Sequence, residues 1–444
     1  MSNATVAQNK TVSFYTLGCK LNQYETEGMR EAFRKRGVRI VPFGEPSNIC
    51  VVHTCTVTQR TDYQCRQALR RAAQVCKDGL VVATGCYAQT DPNRLAEIEG
   101  VGFVVGTGGK TELPDLVSHV LDGGPKIVVG PRDELRRFAE WDVRGLSGHT
   151  RALLKIQDGC DQFCSYCIVP FARGPSRSRP LENILREAKR LVEAGYREIV
   201  LTGVHIAKYG LDLSPSLNLL DILERLEHLE GLERFRLSSI ACPDFSKAWI
   251  DFIARSKRVC RHVHLSLQSG DDEILRRMNR RVGADARHEV ISLLHERVPG
   301  IALGADVIAG FPGESDAQFE RTRCLIEELP LSYLHVFPFS KRPGTKAAGM
   351  KNQVPEKVKK ERAAVLRKIG ETKRLAFAEQ FVGQTLPVLF EGRRDRKTGL
   401  LTGLSDNYIR IMAEGGDAWM GRIVDVRLKG AVNGRMRGRI KGAA

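Results

Sequence analysis

A chain of 444 residues that is 42% apolar and 27% charged carries enough apolar material for several cores, which excludes wholesale disorder. Its formal net charge of +17 is concentrated at one end: from residue 341 onward, 24 Lys and Arg stand against 10 Asp and Glu, a density that attracts a polyanion, nucleic acid foremost. No apolar run is long enough to span a bilayer, and residues 1–10 lack the apolar core of a secretory leader. The expectation is a cytoplasmic protein with no membrane partner, whose twelve cysteines serve metal binding or catalysis rather than disulfides.

In chain order, the first unit is expected over residues 10–126. Short β-rich runs at 14–17, 49–53 and 80–84 read as buried strands, with a helix over 61–75 between two of them. That alternation predicts a doubly wound α/β sheet. A linker punctuated by Gly123, Gly124, Pro125, Gly130 and Pro131 follows. The second unit, 146–374, repeats strand then helix six times, with strands near 153–157, 198–202, 234–238, 262–268, 302–308 and 334–339. Amphipathic helices such as 181–194 and 217–229 supply the crossovers that parallel strands need. Six such units predict a partly open (βα)6 barrel. The last unit, 375–444, has short alternating runs at 386–390, 408–412 and 422–428 separated by Gly and Asp turns, the pattern of a small β-barrel.

Cys160, Cys164 and Cys167 lie in one loop after the first barrel strand, and barrels of this type place active sites at the carboxyl ends of their strands. Three thiolates there hold three irons of a 4Fe–4S cube and leave the fourth open to a ligand. The alternative is structural zinc, which usually takes four ligands in two separated pairs; no second pair lies nearby.

Cys19, Cys55 and Cys86 are scattered in sequence, yet each directly follows an apolar strand: TLGC, VVHTC and VVATGC. In a doubly wound sheet the carboxyl ends of the strands share one edge, where ligands bind. Three thiolates converging there suit a second cluster; three incidental strand-end cysteines are the other reading. Cys50, Cys65 and Cys76 fail the positional test and read as buried or idle thiols.

At these residues the chain resembles the radical S-adenosylmethionine (SAM) superfamily, and within it the methylthiotransferases. TLGCKLNQYE, HTCTVT and GCYAQ are similar to that family's amino-terminal unit, and IQDGCDQFCSYCIVPFARGPSRSR to its SAM loop. HVHLSLQSG, GADVIAGFPGES and HVFPFSKRPGT fit the same family, and the tail with GLSDNYIRI resembles the TRAM domain, an RNA-binding β-barrel. GCKLNQYE, TCTVT and SKRPGT look most like the bacterial members acting on N6-threonylcarbamoyladenosine beside the tRNA anticodon; other members act on isopentenyladenosine or on an aspartate of a ribosomal protein. The chain departs from the family pattern at His53, at Asp161-Gln162 and at Ala241-Cys242.

The resemblance implies two 4Fe–4S clusters and SAM as cofactors, with Cys160, Cys164 and Cys167 holding one cluster and Cys19, Cys55 and Cys86 the other. It implies that Tyr166, Thr202, Gly203, Gln268, Ser269 and Asp306 border SAM, the later ones at strand ends. A SAM-derived radical would remove hydrogen from adenine carbon 2, the second cluster would present sulfur or methylated sulfur, and a second SAM would supply the methyl group. The implied partners are the tRNA anticodon loop, a reducing electron donor and a sulfur source. For RNA, Arg393, Arg394, Arg396 and Lys397 are candidates for phosphates, and Tyr408 either stacks on a base or packs in the barrel. Arg177 and Arg179 either face the active site or form surface ion pairs. GTGGKT at 106–111 imitates a phosphate loop but lacks its first glycine, since Val104 stands there; it reads as a helix-start turn. His262 and His264 alternate on one strand face and read as hydrogen-bonded barrel residues rather than metal ligands. A non-catalytic RNA-binding protein with structural metal is the reading from another class.

Overall fold

The computed structural model describes residues 10–280, 283–432 and 434–442. Of the polar start read above, residues 1–9 lie outside that range. The first unit is a six-stranded parallel sheet in the order β2-β1-β3-β4-β5-β6. Its elements are β1 (Thr11–Thr16), α1 (Lys20–Lys35), β2 (Arg39–Val41), β3 (Ile49–Thr54), α2 (Gln59–Val75), β4 (Leu80–Gly85), α3 (Cys86–Thr90), α4 (Pro92–Ala96), β5 (Val101–Val105), α5 (Leu113–Leu121) and β6 (Ile127–Val128). Helices cover both faces. Phe14, Tyr24, Phe33 and Leu113 pack on one side, and Val52, Leu69, Tyr87 and Leu95 on the other. The order reverses between β1 and β3, so the switch point where such sheets bind ligands falls between the strands that precede Cys19 and Cys55.

The second unit carries six parallel strands in two sets of three. They are β7 (Ala152–Lys155), β10 (Glu198–Thr202) and β11 (Arg234–Arg236), then β12 (His262–Gln268), β13 (Ala302–Ala309) and β14 (Tyr333–Pro338); β8 (Gln157–Asp158) and β9 (Arg177–Ser178) form a short ladder beside the first set. Single bridges from Phe235 to Val259 and from Ile240 to Leu265 join the two sets into one arc. The helices, among them α6 (Val169–Arg173), α7 (Leu181–Glu193), α8 (Leu219–Glu227), α9 (Lys247–Arg255), α10 (Asp272–Arg277), α11 (Ala284–Arg297), α12 (Asp316–Glu328) and α13 (Glu356–Glu379), include those that cover its outer face. Side-chain alternation then sets the chemistry of the arc. Ile199, Leu201, Phe235, Val263, Leu265, Leu303 and Ala305 join the helix-side core. Their alternates, Glu198, Arg234, Arg236, His262, His264 and Asp306, line the concave lumen. His262 and His264 share the Tyr333 hydroxyl, at 2.8 and 2.9 Å, as ordinary barrel hydrogen bonds.

A closed barrel ends the chain, built from β15 (Thr385–Arg394), β16 (Leu401–Ser405), β17 (Arg410–Ala413), β18 (Ile423–Val432) and β19 (Arg435–Ile440). The expected boundary at 374/375 falls inside α13, which continues to Glu379 because Ala378 belongs to the core of this barrel. The barrel is fastened beneath the lumen by two buried arginines. Arg234 donates to the carbonyls of Pro387 and Leu404, and Arg236 to those of Ser405 and Asp406. Glu198 holds both guanidiniums, at 2.7 and 2.8 Å. Burial alone would raise its pKa, but Arg236 and Arg234 bring it from 4.5 down to about 2.

That shift stabilises the folded state fully above pH 4.5 and is lost as pH falls from there toward 2, about 3 kcal/mol in all. Glu198→Gln is therefore expected to lower stability by about 3 kcal/mol at neutral pH and to flatten the acid limb over that interval. Urea denaturation as a function of pH, followed by far-ultraviolet circular dichroism, checks both.

Candidate active site between two cysteine sets

Cys19 caps the start of α1, Cys55 follows β3, and Cys86 begins α3 directly after β4. The structure brings the three loops together by packing them through glycine. Gly18 has φ +105, and a Cβ there would stand 2.7 Å from Cys55 Cβ and 2.9 Å from its Sγ. Gly85 has φ +100, and a Cβ there would meet the Thr54 carbonyl oxygen at 2.5 Å. Any larger residue would hold the loops apart. Asn22 latches them further, donating to the carbonyls of Leu17 and Thr54 at 2.8 and 3.1 Å. Cys65 backs the Cys55 loop, its thiol donating to the Cys55 carbonyl at 3.3 Å. Cys50 and Cys76 are buried elsewhere in the sheet's far core.

Cys160, Cys164 and Cys167 lie in the loop after β8, and a turn bond from Cys167 N–H to the Cys164 carbonyl at 2.9 Å tightens it. Arg280 approaches Cys164 Sγ at 3.7 Å and donates to the Ser266 carbonyl at 2.9 Å. His205 Nδ1 lies 4.0 Å from Cys160 Sγ, and its other nitrogen meets Asp244 at 2.8 Å. Sequence reasoning missed both. His205 was findable, two residues past Thr202-Gly203; Arg280 had no local signal. Gln157 organises the next strand end, accepting the N–H groups of Val204 and His205 at 2.9 and 2.8 Å beside Gly203. Gln268, at φ +68, and Ser269 end β12, and Ser269 meets Thr322 at 3.2 Å. Tyr166 is half-buried against the Ile274–Phe311 cluster.

Asp306 departs from expectation. It sits mid-strand on β13, not at a strand end, with its carboxylate on His264 Nε2 at 2.9 Å and near His335 Nδ1 at 3.5 Å. Burial opposes its ionisation, yet those hydrogen bonds bring it to about 2. Arg177 and Arg179 are neither at the surface nor free: both are buried, Arg177 on Asp158 at 2.9 Å and Arg179 on Glu187 and Glu140 at 2.6 Å. The Ala241-Cys242 departure is a core feature, since Cys242 is buried in the barrel's helix-side cluster.

A buried ion network joins the two cysteine sets. Glu25 of α1 receives Arg173 at 2.9 Å, Lys155 at 2.7 Å and Lys110. Asp158 receives Lys155, Arg173 and Arg177 at 2.7, 3.0 and 2.9 Å. Arg173 also donates to Asn22 Oδ1 at 2.8 Å, so the residue that ends α6 after Cys167 grips the latch beside Cys19. Desolvation works against both carboxylates, yet Arg173, Lys110 and Lys155 hold Glu25 well below its usual range, and Lys155, Arg177 and Arg173 do the same for Asp158. Burial, then Lys110, pushes His53 down to about 3, so it enters as a neutral ring bonded to Thr26 at 2.9 Å. The phosphate-loop look-alike is committed here: Lys110 is buried on Glu25 and Thr107 bonds the Ala172 carbonyl.

Both sets fit an iron–sulfur cluster. Burial pushes the Cys55, Cys86 and Cys167 thiols up, Cys167 to about 12, so they ionise only against a strongly cationic centre, which deprotonates coordinating thiols outright. A single zinc, with bonds of about 2.3 Å, draws thiolates to about 4 Å of each other. Among the described residues, the one group of three whose ligand atoms all lie within 4.8 Å is His264, Asp306 and His335.

The RNA candidates divide. Arg393, Arg396 and Lys397 are exposed, but Arg394 is engaged by Asp417 at 2.6 Å and by the Gly399 and Gly415 carbonyls. Tyr408 is a packed residue: its ring stacks on His262 at 4.1 Å and on Tyr333 at 5.3 Å. A cavity of about 780 Å³ opens between α13, β14 and the small barrel, bordered by Arg151, Arg367, Arg374, Arg410, Arg435 and His335.

Glu25→Gln leaves Lys110, Lys155 and Arg173 short of an anion, and we expect a loss of about 3–5 kcal/mol, measured by urea denaturation. Cys55→Ala is expected to retain the iron of the Cys160–Cys164–Cys167 set and reductive SAM cleavage while losing sulfur transfer. Cys164→Ala is expected to lose SAM cleavage and keep the other cluster's iron. Iron analysis and chromatography of 5′-deoxyadenosine read the difference.

Known proteins agree with this architecture. Residues 154–326 match the Radical SAM superfamily, 11–106 match the uncharacterized protein family UPF0004, and 379–441 match the TRAM domain. Threonylcarbamoyladenosine tRNA methylthiotransferase MtaB of Bacillus subtilis is 38% identical over 94% of this chain and 93% of its own. The tRNA-2-methylthio-N(6)-dimethylallyladenosine synthase of Moorella thermoacetica is 34% identical over 98% and 99%. The solved radical SAM methyltransferase TsrM of Kitasatospora setae, with cobalamin and a 4Fe–4S cluster bound, shares the fold at TM-score 0.59 and 16% identity, covering 76% of this chain and 77% of that one. With identity of this order running from the first cysteine set to the small barrel, the chain belongs to the methylthiotransferase family of radical-SAM proteins.

Proposed function

We propose that the protein converts N6-threonylcarbamoyladenosine beside the tRNA anticodon to its 2-methylthio derivative, in the cytoplasm. The observation that carries the reading is the 38% identity over 94% of the chain to a relative named for that reaction, against 34% for the dimethylallyladenosine relative. When bound, the two clusters would supply the electron that cleaves one SAM to methionine and a 5′-deoxyadenosyl radical and the sulfur that replaces hydrogen on the ring, and a second SAM would supply the methyl group.

The chain's own residues position and enclose. Cys160, Cys164 and Cys167 hold the SAM-side cluster, and Tyr166, Thr202, Gly203, Gln268 and Ser269 border SAM, their turns fixed by Gln157 and Thr322. Asp306 steers His264 and His335 at the lumen wall instead of touching SAM. Cys19, Cys55 and Cys86 hold the second cluster. The Asn22–Arg173–Glu25 contacts fix its position against the first, which is where near-attack geometry is gained. Arg151, Arg367 and Arg374 in the groove, with Arg393, Arg396 and Lys397 on the small barrel, take RNA phosphates. The units of the reaction are then 10–126, 146–374 and 375–444, with α13 shared between the last two. An external reductant and a sulfur source complete the cycle.

Mass spectrometry of tRNA nucleosides from cells with and without the gene tests this. We expect 2-methylthio-threonylcarbamoyladenosine to vanish without it and to return with wild type but not with Cys164→Ala. Unchanged nucleosides would overturn the assignment.

A further inference from the structure

Three side chains of the lumen wall carry ligand chemistry that no step above uses. His264 on β12, Asp306 on β13 and His335 on β14 stand on adjacent strands, and Asp306 and His335 are paired across the ladder. The Asp306 carboxylate lies 2.9 Å from His264 Nε2 and 3.5 Å from His335 Nδ1. One ligand atom from each residue falls within 4.8 Å of the other two. With metal–ligand bonds of about 2.1 Å, two donors stand about 3.0 Å apart at a right angle and about 3.4 Å at the tetrahedral angle. Both separations on Asp306 fall close to those values.

Charge balance sets this carboxylate apart from the others. Glu25, Asp158 and Glu198 are each held by two or more lysines or arginines. Asp306 faces imidazoles instead: among the described residues its ion-pair partners are His264 and His335, and no Lys or Arg pairs with it. Against the pull of burial, the hydrogen bonds of those two rings hold it ionised. Two imidazoles and one carboxylate suit a divalent cation of borderline softness.

The surroundings are built to aim the ligands. His264 turns its other nitrogen, Nδ1, to the Tyr333 hydroxyl at 2.9 Å, and that hydroxyl meets His262 Nε2 at 2.8 Å. Burial, then Arg236, keeps His262 neutral, so it can accept the tyrosine proton while Tyr333 accepts the N–H of His264. In that tautomer the His264 Nε2 lone pair faces the carboxylate, and a cation between the two joins them. An outer hydrogen bond of this kind orients metal-binding imidazoles. Gly304 permits it: a Cβ there would stand 2.1 Å from the Tyr333 ring, so only glycine lets the ring cross β13. Access is through His335, which is half-exposed and borders the cavity of about 780 Å³. We propose that His264, Asp306 and His335 bind a divalent cation of the zinc or manganese class, its remaining positions open to water or an oxygen anion from the cavity.

The test uses reconstituted holoenzyme, so that the cluster thiolates are occupied, with Mn2+ as the probe. Oxidised 4Fe–4S clusters are diamagnetic and thiolates suit Mn2+ poorly, so electron paramagnetic resonance reads the added ion alone. We expect about one saturable Mn2+ per chain, with nitrogen hyperfine coupling from imidazole, and displacement by Zn2+ in line with the usual affinity order. His335→Ala is expected to abolish that binding with iron content unchanged, and Tyr333→Phe to weaken it about 10- to 100-fold. Asp306→Asn, which keeps the side chain's shape, is expected to abolish it too and decides the matter if His335→Ala loses iron. Binding that survives these substitutions, or Mn2+ without nitrogen coupling, marks surface carboxylates and overturns the proposal, as does the absence of saturable binding. Neither RNA nor SAM is present, so the outcome is independent of the nucleoside assignment.

Discussion

The geometry of the reaction chamber depends on one buried carboxylate. Glu25 sits on the first helix after Cys19, yet its ligands come from the far end of the same sheet (Lys110), from the first barrel strand (Lys155) and from the end of the SAM loop (Arg173). Desolvating such a group costs several kcal/mol, and only close, multiple pairing returns it. A satisfied network of this kind has one good arrangement and many poor ones. It therefore acts as a registration device, fixing where the second cysteine set stands against the first. Asn22 and Arg173 carry that registration the last few ångströms, since Asn22 bonds the loops before Cys19 and Cys55 and Arg173 bonds Asn22.

The same logic recurs below the lumen. Glu198 gathers Arg234 and Arg236, and these seize carbonyls of the small barrel. Tyr408, at φ +67, closes the contact by stacking on His262. The small barrel is thus fastened to the floor of the catalytic arc, and the arginine-bordered groove beside α13 runs from it toward the lumen.

The strand–helix alternation, the six barrel strands and the strand-end positions of Cys19, Cys55 and Cys86 were legible in the sequence because they follow from local rules: apolar runs and turn residues. Short edge strands such as β2 and β6 were not, since two or three residues carry no periodicity. The long-range polar pairs were not either. Lys110 belonged to what read as a helix-start turn, Arg177 and Arg179 read as surface or active-site cations, and Asp306 read as lying at a strand end. Each is decided by partners that no local pattern names, as Lys110 is by Glu25, 85 places away in sequence. Tyr408 read equally as a base platform or a packed ring, and only its neighbours on β12 and β14 separate the two.

One measurement bears most directly on the claim that both cysteine sets serve a single base in a single chamber. Anaerobic holoenzyme is given SAM, a reductant and an anticodon stem–loop whose threonylcarbamoyladenosine carries deuterium at carbon 2. The account predicts deuterium in 5′-deoxyadenosine in step with methylthio product. SAM cleavage with no deuterium transferred, or product that retains it, would contradict the account.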